Sequence, residues 1–294
     1  MPRDHRVAAA GGRTLRVLDY GDPDGKPVIA HHGTPGCGRQ RDAAVEDATR
    51  RGLRLIAHDR PGYAESTRQP GRRVADVAGD VAAIADQLGL ERFGTIGVSG
   101  GGPHTLACPA LLGDRVVACA SIASPAPYGA EGLDYFDGMG ELNAQEIDVI
   151  AQGPEAHLDW LRGQAEEMLS TTPAQLREAM ESLLSAPDRA ALTDELAEFL
   201  HGVFHEAVAP GVEGWADESM AGFEPWGFDP AAIGVPVLLL HGEHDRFVPV
   251  AHGRWLAARI PQVEARISPD DGHVSMIEGF TPEAHAWLAE RLSA

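Results

Sequence analysis

The alternation of apolar and polar positions along the first 125 residues predicts an α/β fold. Short, mostly apolar runs typical of strands are followed by segments with apolar residues at three- and four-residue spacing, which is typical of helices. Because these strands are short and carry few polar residues, we predict a parallel sheet covered by helices on both faces. The predicted strands are 14–21, 26–33, 53–59, 93–98 and 116–124, and the predicted helices are about 38–51, 74–90 and 100–112.

This pattern is interrupted in the middle of the chain. From about 126 to 228 the sequence is helical and acidic, and it contains no good strand. We therefore predict a core domain formed by 1–125 and 229–294, with a helical cap domain at 126–228. The cap follows a strand, at the carboxyl edge of the sheet, where open α/β sheets bind ligands. After it we predict strands at 235–240 and 264–269 and helices at 251–260 and 282–293.

A serine lies among glycines between a predicted strand and a predicted helix. The segment is "FGTIGVSGGGPHTLA", and Ser99 occupies the centre of a G-x-S-x-G pattern. Such a turn lifts the hydroxyl above the sheet and aims the first free N–H groups of the helix at the reaction centre. In this context we interpret Ser99 as a nucleophile rather than an incidental loop serine.

A serine nucleophile needs a base, and the base needs an acid that fixes its tautomer. His273 follows the last predicted strand, in "SPDDGHVSM", and is the predicted base. Asp245 follows the apolar strand in "LLLHGEHDRFVP" and is the predicted acid. An orienting carboxylate should come from a separate strand end. That criterion favours Asp245 over its rivals, which are Glu243, Asp270 and Asp271.

The loop "AHHGTPGCG" supplies the remaining part of the predicted site. Thr34 can present its backbone N–H to an oxyanion, as can Gly100 directly after the nucleophile. We expect His32 to brace this loop rather than transfer protons. Cys37 lacks a strand-borne turn, so we do not expect it to be a nucleophile.

Charge and composition exclude several classes of protein. The formal net charge is −20, and such a surface repels phosphate backbones, so nucleic acid is not an expected partner. No apolar stretch of the sequence approaches the length of a membrane span, and the first 17 residues contain no apolar core of signal-peptide length. Three cysteines without a CxxC pair indicate neither disulfides nor zinc. We expect a cytoplasmic monomer or homodimer that uses no metal or organic cofactor.

These motifs resemble those of the α/β-hydrolase family and occur in that family's order. They are "HHGTPG", "HDRPGYAES", "GVSGGG", "LLLHGEHDRFVP" and "DDGHVS". The resemblance implies an eight-stranded, mostly parallel sheet with a cap between strands six and seven. It places Ser99, Asp245 and His273 on the triad, and Thr34 and Gly100 on the oxyanion positions. A serine nucleophile is unlike the aspartate of epoxide hydrolases.

The sequence leaves the substrate open. We expect a small carboxylic ester, and several alternatives remain. "HGTPG" is similar to the HGGPG loop of proline iminopeptidases, although "DRPGYAES" lacks that group's DQRG opening. Carbon–carbon bond hydrolysis and cofactor-free peroxidation could use the same residues, since fold does not fix chemistry. The last alternative is a relative that binds a ligand without turnover. Acidic residues of the cap are candidates for holding a substrate ammonium group, namely Glu131, Asp134, Asp137, Glu141, Glu146 and Asp148. Aromatic candidates for an apolar binding pocket are Tyr128, Phe136, Trp160, Trp215 and Trp226.

Overall fold

One eight-stranded sheet organises the chain. The computed structural model describes residues 1–293. The strands are β1 (Arg3–Ala9), β2 (Arg13–Tyr20), β3 (Lys26–His31), β4 (Leu53–His58), β5 (Phe93–Val98), β6 (Val116–Ile122), β7 (Val237–Gly242) and β8 (Val263–Ser268). Their spatial order is β1-β2-β4-β3-β5-β6-β7-β8. β2 pairs antiparallel with β1 and with β4, and every other neighbouring pair is parallel. The predicted α/β-hydrolase architecture is confirmed.

Helices cover the two faces of this sheet. The helices of the core are α1 (Asp42–Arg50), α2 (Val77–Gln87), α3 (Gly102–Leu112), α10 (Val250–Ala257) and α11 (Val274–Arg291). Six more lie between β6 and β7: α4 (Glu141–Ile150), α5 (Pro154–Ser170), α6 (Pro173–Ala179), α7 (Ala186–Ala191), α8 (Asp194–Val208) and α9 (Glu213–Phe223). We call residues 123–236, which contain these six helices, the helical insertion. Within residues 1–293, no helix is both long enough and apolar enough to cross a membrane.

The continuous apolar runs of the strands follow from burial on both faces. In β7, Val237 and Leu239 join the core under α2, α3 and α10, whereas Leu238 and Leu240 join the core under α1 and α11. In β3, Ile29 and Val28 divide between the same two cores. Successive side chains of a strand point to opposite faces, so a strand between two helical layers needs apolar residues at every position.

Two elements differ from the sequence-based expectation. The edge strand β1 was not predicted, since its "RDHRVAA" is mostly polar and only Val7 is fully buried. The last helix starts at Val274, well before the predicted 282, and Pro282 lies inside it. The first amides of this helix are satisfied by a partner outside it, so the helix can begin immediately after His273.

Several histidines are buried in the core and favour the neutral form. His58 is fully buried, with Nε2 3.3 Å from Nδ1 of His31. Burial, reinforced by the nearby Arg60 charge, lowers the pKa of His58 to about 3, and burial also holds the pKa of His31 well below its ordinary value. Unfolding therefore lets these rings take up protons below a pH of about 6.5.

We predict that the free energy of unfolding falls as the pH is lowered from about 6.5 toward 3, because the unfolded chain then binds more protons than the folded one. His58→Leu should reduce this pH slope by up to roughly 1.4 kcal/mol per pH unit. Urea denaturation at a series of pH values measures the slope. Ile29→Val, a change in the same sheet without a titrating group, should leave the slope as it is. A His58→Leu slope equal to that of the wild type would show that His58 is protonated alike in both states.

Candidate active site

Ser99 occupies a strained turn between β5 and α3. Its φ is +52°, a left-handed conformation that residues other than glycine adopt at an energetic cost. The neighbouring glycines allow close packing of backbone around it. A Cβ on Gly97 would lie 2.5 Å from the carbonyl oxygen of Gly101, and a Cβ on Gly101 would lie 2.5 Å from that of His32. The loop after β3 can therefore lie directly against the serine turn.

The structure brings the predicted base and acid into contact. His273 Nδ1 lies 2.7 Å from Asp245 Oδ2, and both side chains are buried. Asp245 Oδ1 accepts hydrogen bonds from the backbone N–H groups of Phe247 and Val248, at 2.9 and 2.8 Å. The Phe247 ring stacks on His273 with centroids 4.6 Å apart. Asp245 is thus fixed by backbone donors, and it holds the imidazole by Nδ1.

Ser99 and His273 line the same cavity. Within residues 1–293 they form no direct hydrogen bond. Catalytic hydrogen bonds are often long in unliganded enzymes and shorten when substrate binds. Since Nδ1 is engaged with Asp245, Nε2 is the ring nitrogen that remains for the serine hydroxyl.

The two predicted oxyanion donors are neighbours. A Cβ built on Gly100 would overlap Thr34 Oγ1 and lie 3.5 Å from the Thr34 backbone nitrogen. A Cβ on Gly33 would lie 3.5 Å from the Cβ of Ser99. The structure therefore places the loop after β3 beside both Ser99 and Gly100.

Arg60, to which the sequence analysis assigned no role, holds the loop after β3 in place. It lies just after β4, in the "HDRPG" motif, and is fully buried. Its guanidinium donates hydrogen bonds to the carbonyl oxygens of His32 and Gly33 and, at 3.0 Å, to Thr34 Oγ1. Three consecutive residues of the loop are thus fixed by a single planar cation.

The charge of Arg60 is balanced by Glu218 of the insertion. Glu218, in α9, accepts from Arg60 Nε at 3.1 Å, and it pairs with Arg72 at 2.6 Å and with His104 Nε2 at 2.6 Å. Burial raises the pKa of this carboxyl, but Arg60 and Arg72 outweigh burial and hold it well below its ordinary value. Nothing in the sequence connects Glu218 with a residue 158 positions earlier.

Two further residues of the β3 loop behave as predicted from the sequence. His32 Nε2 accepts from the Arg60 backbone N–H at 3.1 Å, so Nδ1 carries the proton and donates to the Gly33 carbonyl at 2.7 Å. Burial holds the pKa of His32 well below its ordinary value, so His32 braces the loop as a neutral ring. Burial raises the pKa of Cys37 to about 12, which leaves a thiol that is unreactive at neutral pH.

A mostly apolar cavity of about 360 Å³ contains the site. Its lining comes mainly from α8 of the insertion and, in the core, from the strand ends, the loop after β3 and α11. Arg39, Arg41 and Glu278 also border it, and Arg41 forms ion pairs with Glu278 and Glu195. The apolar lining includes Ile96, Val98, Met180, Leu196, Phe199, Leu200, Val203, Phe204, Phe247, Val274 and Ile277.

The five aromatic residues proposed from the sequence are not in this cavity. Tyr128 is 46% exposed and clusters with Tyr135, Phe136 and Phe223 outside it. Trp160 and Trp215 pack in the hydrophobic core of the insertion, and Trp226 packs under the sheet beside Phe228. Phenylalanines that were not singled out, Phe199, Phe204 and Phe247, line the cavity instead.

The acidic candidates of the insertion also lie elsewhere. Glu131, Asp134, Asp137, Glu141, Glu146 and Asp148 do not border the cavity. Glu146 instead accepts from His157 Nε2 at 2.9 Å and from Ser219 Oγ at 2.7 Å. Three of these carboxylates, Glu141, Glu146 and Asp148, lie in α4, which packs against α5.

Comparison with known proteins identifies the family. Residues 26–280 match the family model of the alpha/beta hydrolase fold. The match spans most of the chain, and the protein belongs to the alpha/beta hydrolase family.

Individual relatives carry different names. The chain is 28% identical over 269 residues to a non-heme haloperoxidase of Rhodococcus erythropolis, covering 86% of each chain. It is 26% identical over 275 residues to a 2-hydroxy-6-oxononadienedioate/2-hydroxy-6-oxononatrienedioate hydrolase of Klebsiella pneumoniae, covering 90% of this chain and 86% of that one. A thermophilic esterase from Thermogutta terrifontis superposes with a TM-score of 0.71 at 23% identity, covering 98% and 99% of the two chains. This structural likeness concerns the fold.

We predict that Glu218→Gln destabilises the protein by about 3 kcal/mol or more, because it leaves Arg60 and Arg72 buried without a counter-charge. Urea denaturation measures the loss. Asp217→Asn is the matched control on the same helix, since Asp217 pairs with the partly exposed Arg68 and such pairs contribute about 1 kcal/mol or less. Equal losses in the two variants would contradict a special role for the buried cluster.

Proposed function

We propose that this protein is a serine hydrolase that cleaves small, apolar carboxylic esters through an acyl-enzyme. The observation that carries the proposal is the contact between His273 Nδ1 and Asp245 Oδ2 at 2.7 Å, in a buried site that shares one cavity with Ser99. A carboxylate that fixes Nδ1 leaves Nε2 as the base for a serine. The strained φ of Ser99 gives independent support, because strain of this kind clusters at active sites.

The proposed reaction proceeds in two halves. Ser99 Oγ attacks the ester carbonyl carbon while His273 Nε2 takes its proton, and the tetrahedral oxyanion accepts hydrogen bonds from the N–H groups of Thr34 and Gly100. The C–O bond to the alcohol then breaks, and His273 returns the proton to the leaving alcohol. Water attacks the acyl-enzyme with His273 again as base, which releases the acid and regenerates Ser99. Asp245 stabilises the imidazolium in both halves.

The lining of the cavity favours esters over substrates with a free amine. Among the described residues, Glu278 is the only carboxylate that borders the cavity, and Arg41 already pairs with it. A substrate ammonium group would find no free carboxylate there, whereas an apolar acyl or alkoxy group would contact Phe199, Phe204 and other apolar side chains. The cavity volume, about 360 Å³, is at the lower end for ligand sites and suits a small substrate.

The names of the relatives agree with this proposal in part. An esterase shares the fold, and a hydrolase and a haloperoxidase are 26% and 28% identical to this chain over the residues that align. Fold and family do not fix chemistry, so the choice of an ester rests on the site. Cytoplasmic location, the absence of cofactors and the oligomeric state stay predictions from the sequence.

We predict that Ser99→Ala abolishes turnover of p-nitrophenyl esters while the fold is retained. Loss of the nucleophile leaves no route to the acyl-enzyme, and removal of a triad member commonly costs about 10⁴-fold or more in kcat. Steady-state hydrolysis of p-nitrophenyl acetate and butyrate, alongside prolyl and alanyl naphthylamides, measures the outcome. Ser170→Ala, at an exposed position in the insertion, is the control for a serine substitution.

The same panel separates the alternatives. Preference of the wild type for aminoacyl naphthylamides would favour the aminopeptidase alternative. One product released per chain would favour a ligand-binding relative. Ester turnover that persists in Ser99→Ala would overturn the proposal.

We predict that Val203→Phe lowers activity on esters with long acyl chains relative to esters with short ones. Val203 lies on α8 and borders the cavity, and a larger ring there fills space that a longer acyl group needs. The ratio of kcat/KM for p-nitrophenyl octanoate to that for the acetate should fall about tenfold or more, since a few lost methylene contacts are worth about 1–3 kcal/mol. An unchanged ratio would mean that the acyl group does not point toward α8.

A further inference from the structure

A buried carboxylate of the helical insertion holds the backbone that carries His273. Asp188 lies in α7 and has no exposed surface. Its Oδ1 accepts hydrogen bonds from the N–H groups of Val274 and Ser275, at 2.8 and 3.1 Å. These are the first two residues of α11, directly after His273. A helix leaves its first amides without partners, and here a side chain 86 residues earlier in the chain supplies one.

Asp188 is itself rigidly held. Its Oδ2 accepts from Ser185 Oγ at 2.6 Å and from the Ser185 backbone N–H at 3.2 Å. A Cβ on Gly272 would overlap both Ser185 Oγ and Asp188 Oδ2, so the loop before His273 lies tightly against this carboxylate. The oxygen that faces α11 is therefore fixed by contacts made within the insertion.

Two carboxylates with different tasks meet at His273. Asp245 holds the ring by Nδ1, whereas Asp188 holds the main chain on the carboxyl side of the same residue. The position of Nε2 depends on both contacts. Asp245 fixes one atom of the ring, and the main chain held by Asp188 fixes the Cα from which the ring extends. Asp188 does not border the cavity, so it reaches the substrate only through His273.

We propose that Asp188 is a positioning residue for the catalytic base, so that the seating of the insertion on the core sets the geometry of His273. This inference rests on the proposed serine-hydrolase function. Glu218 reaches the oxyanion loop through Arg60 in the same manner. The insertion thus contacts both halves of the site from outside the cavity, in addition to forming its wall.

The test compares Asp188→Ala with the wild type in two assays. The first is steady-state hydrolysis of p-nitrophenyl acetate. The second is the rate of labelling by a biotinylated alkyl fluorophosphonate, in which Ser99 Oγ bonds to phosphorus, fluoride leaves and His273 takes the serine proton. We expect kcat and the labelling rate to fall about 10- to 100-fold, as for a misplacement of a catalytic group by about 1 Å. KM should stay within about threefold, since Asp188 makes no substrate contact.

Two further variants separate positioning from general stability. Asp188→Asn keeps an oxygen that can accept from Val274 and Ser275, so it should restore much of the lost kcat. Thr172→Ala removes the N-cap of α6 in the same insertion, a loss of about 1 kcal/mol, and should leave kcat near that of the wild type. Equal losses in Thr172→Ala and Asp188→Ala, or wild-type kcat in Asp188→Ala, would overturn the inference.

Should Asp188→Ala fail to fold, Ser185→Ala carries the test. It removes the hydroxyl donor to Asp188 Oδ2 and leaves only the Ser185 backbone N–H on that oxygen, so it should lower kcat roughly threefold or more at constant KM. Wild-type kcat in this variant would then overturn the inference. Failure of the proposed function looks different, because wild-type protein would then resist the fluorophosphonate altogether.

Discussion

The buried contact between Arg60 and the loop after β3 is the interaction on which the candidate site depends. The Arg60 guanidinium donates hydrogen bonds to two carbonyl oxygens and to the Thr34 hydroxyl, and it thereby fixes the loop beside Ser99. A buried cation is tolerable only when a counter-charge accompanies it, and Glu218 of the insertion provides that charge. In the core alone, the cation that supports the candidate oxyanion loop would lack its counter-charge, and the insertion supplies it.

At His273, too, one contact comes from the core and one from the insertion. Asp245 follows β7 and orients the imidazole, while Asp188 of the insertion caps the helix that starts after His273. Both insertion carboxylates are almost completely buried, and each acts on backbone or on a cation rather than on a substrate. In the proposed mechanism the insertion does more than cover a cavity, because its packing sets the geometry of the candidate base and of the loop after β3 through two charged groups.

Sequence patterns predicted the core well, for physical reasons. Doubly buried strands carry continuous apolar runs, and "VIA", "LIA" and "VLLL" are such runs. Gly101, next to the serine turn, cannot be replaced by a larger residue without movement of the backbone, since a Cβ there would overlap the carbonyl oxygens of His31 and His32. The order of serine, acid and base along the chain predicted which side chains meet, and the structure places Asp245 against His273 as expected.

The insertion shows where such reasoning stops. Its tryptophans and acidic residues were conspicuous in the sequence, yet none of the residues singled out there lines the cavity, whereas Phe199, Phe204 and Val203 do. The pattern Ser185-x-x-Asp188 predicts only a local helix cap, and its second role depends on how α7 meets α11. The sequence by itself determined the sheet, the strained serine turn and the candidates for the reacting groups, because these follow from local periodicity and backbone sterics. Only the tertiary structure decided the cavity wall and the supporting charges Glu218 and Asp188, because long-range packing of helices, rather than any local pattern, sets which buried charge lies beside which backbone.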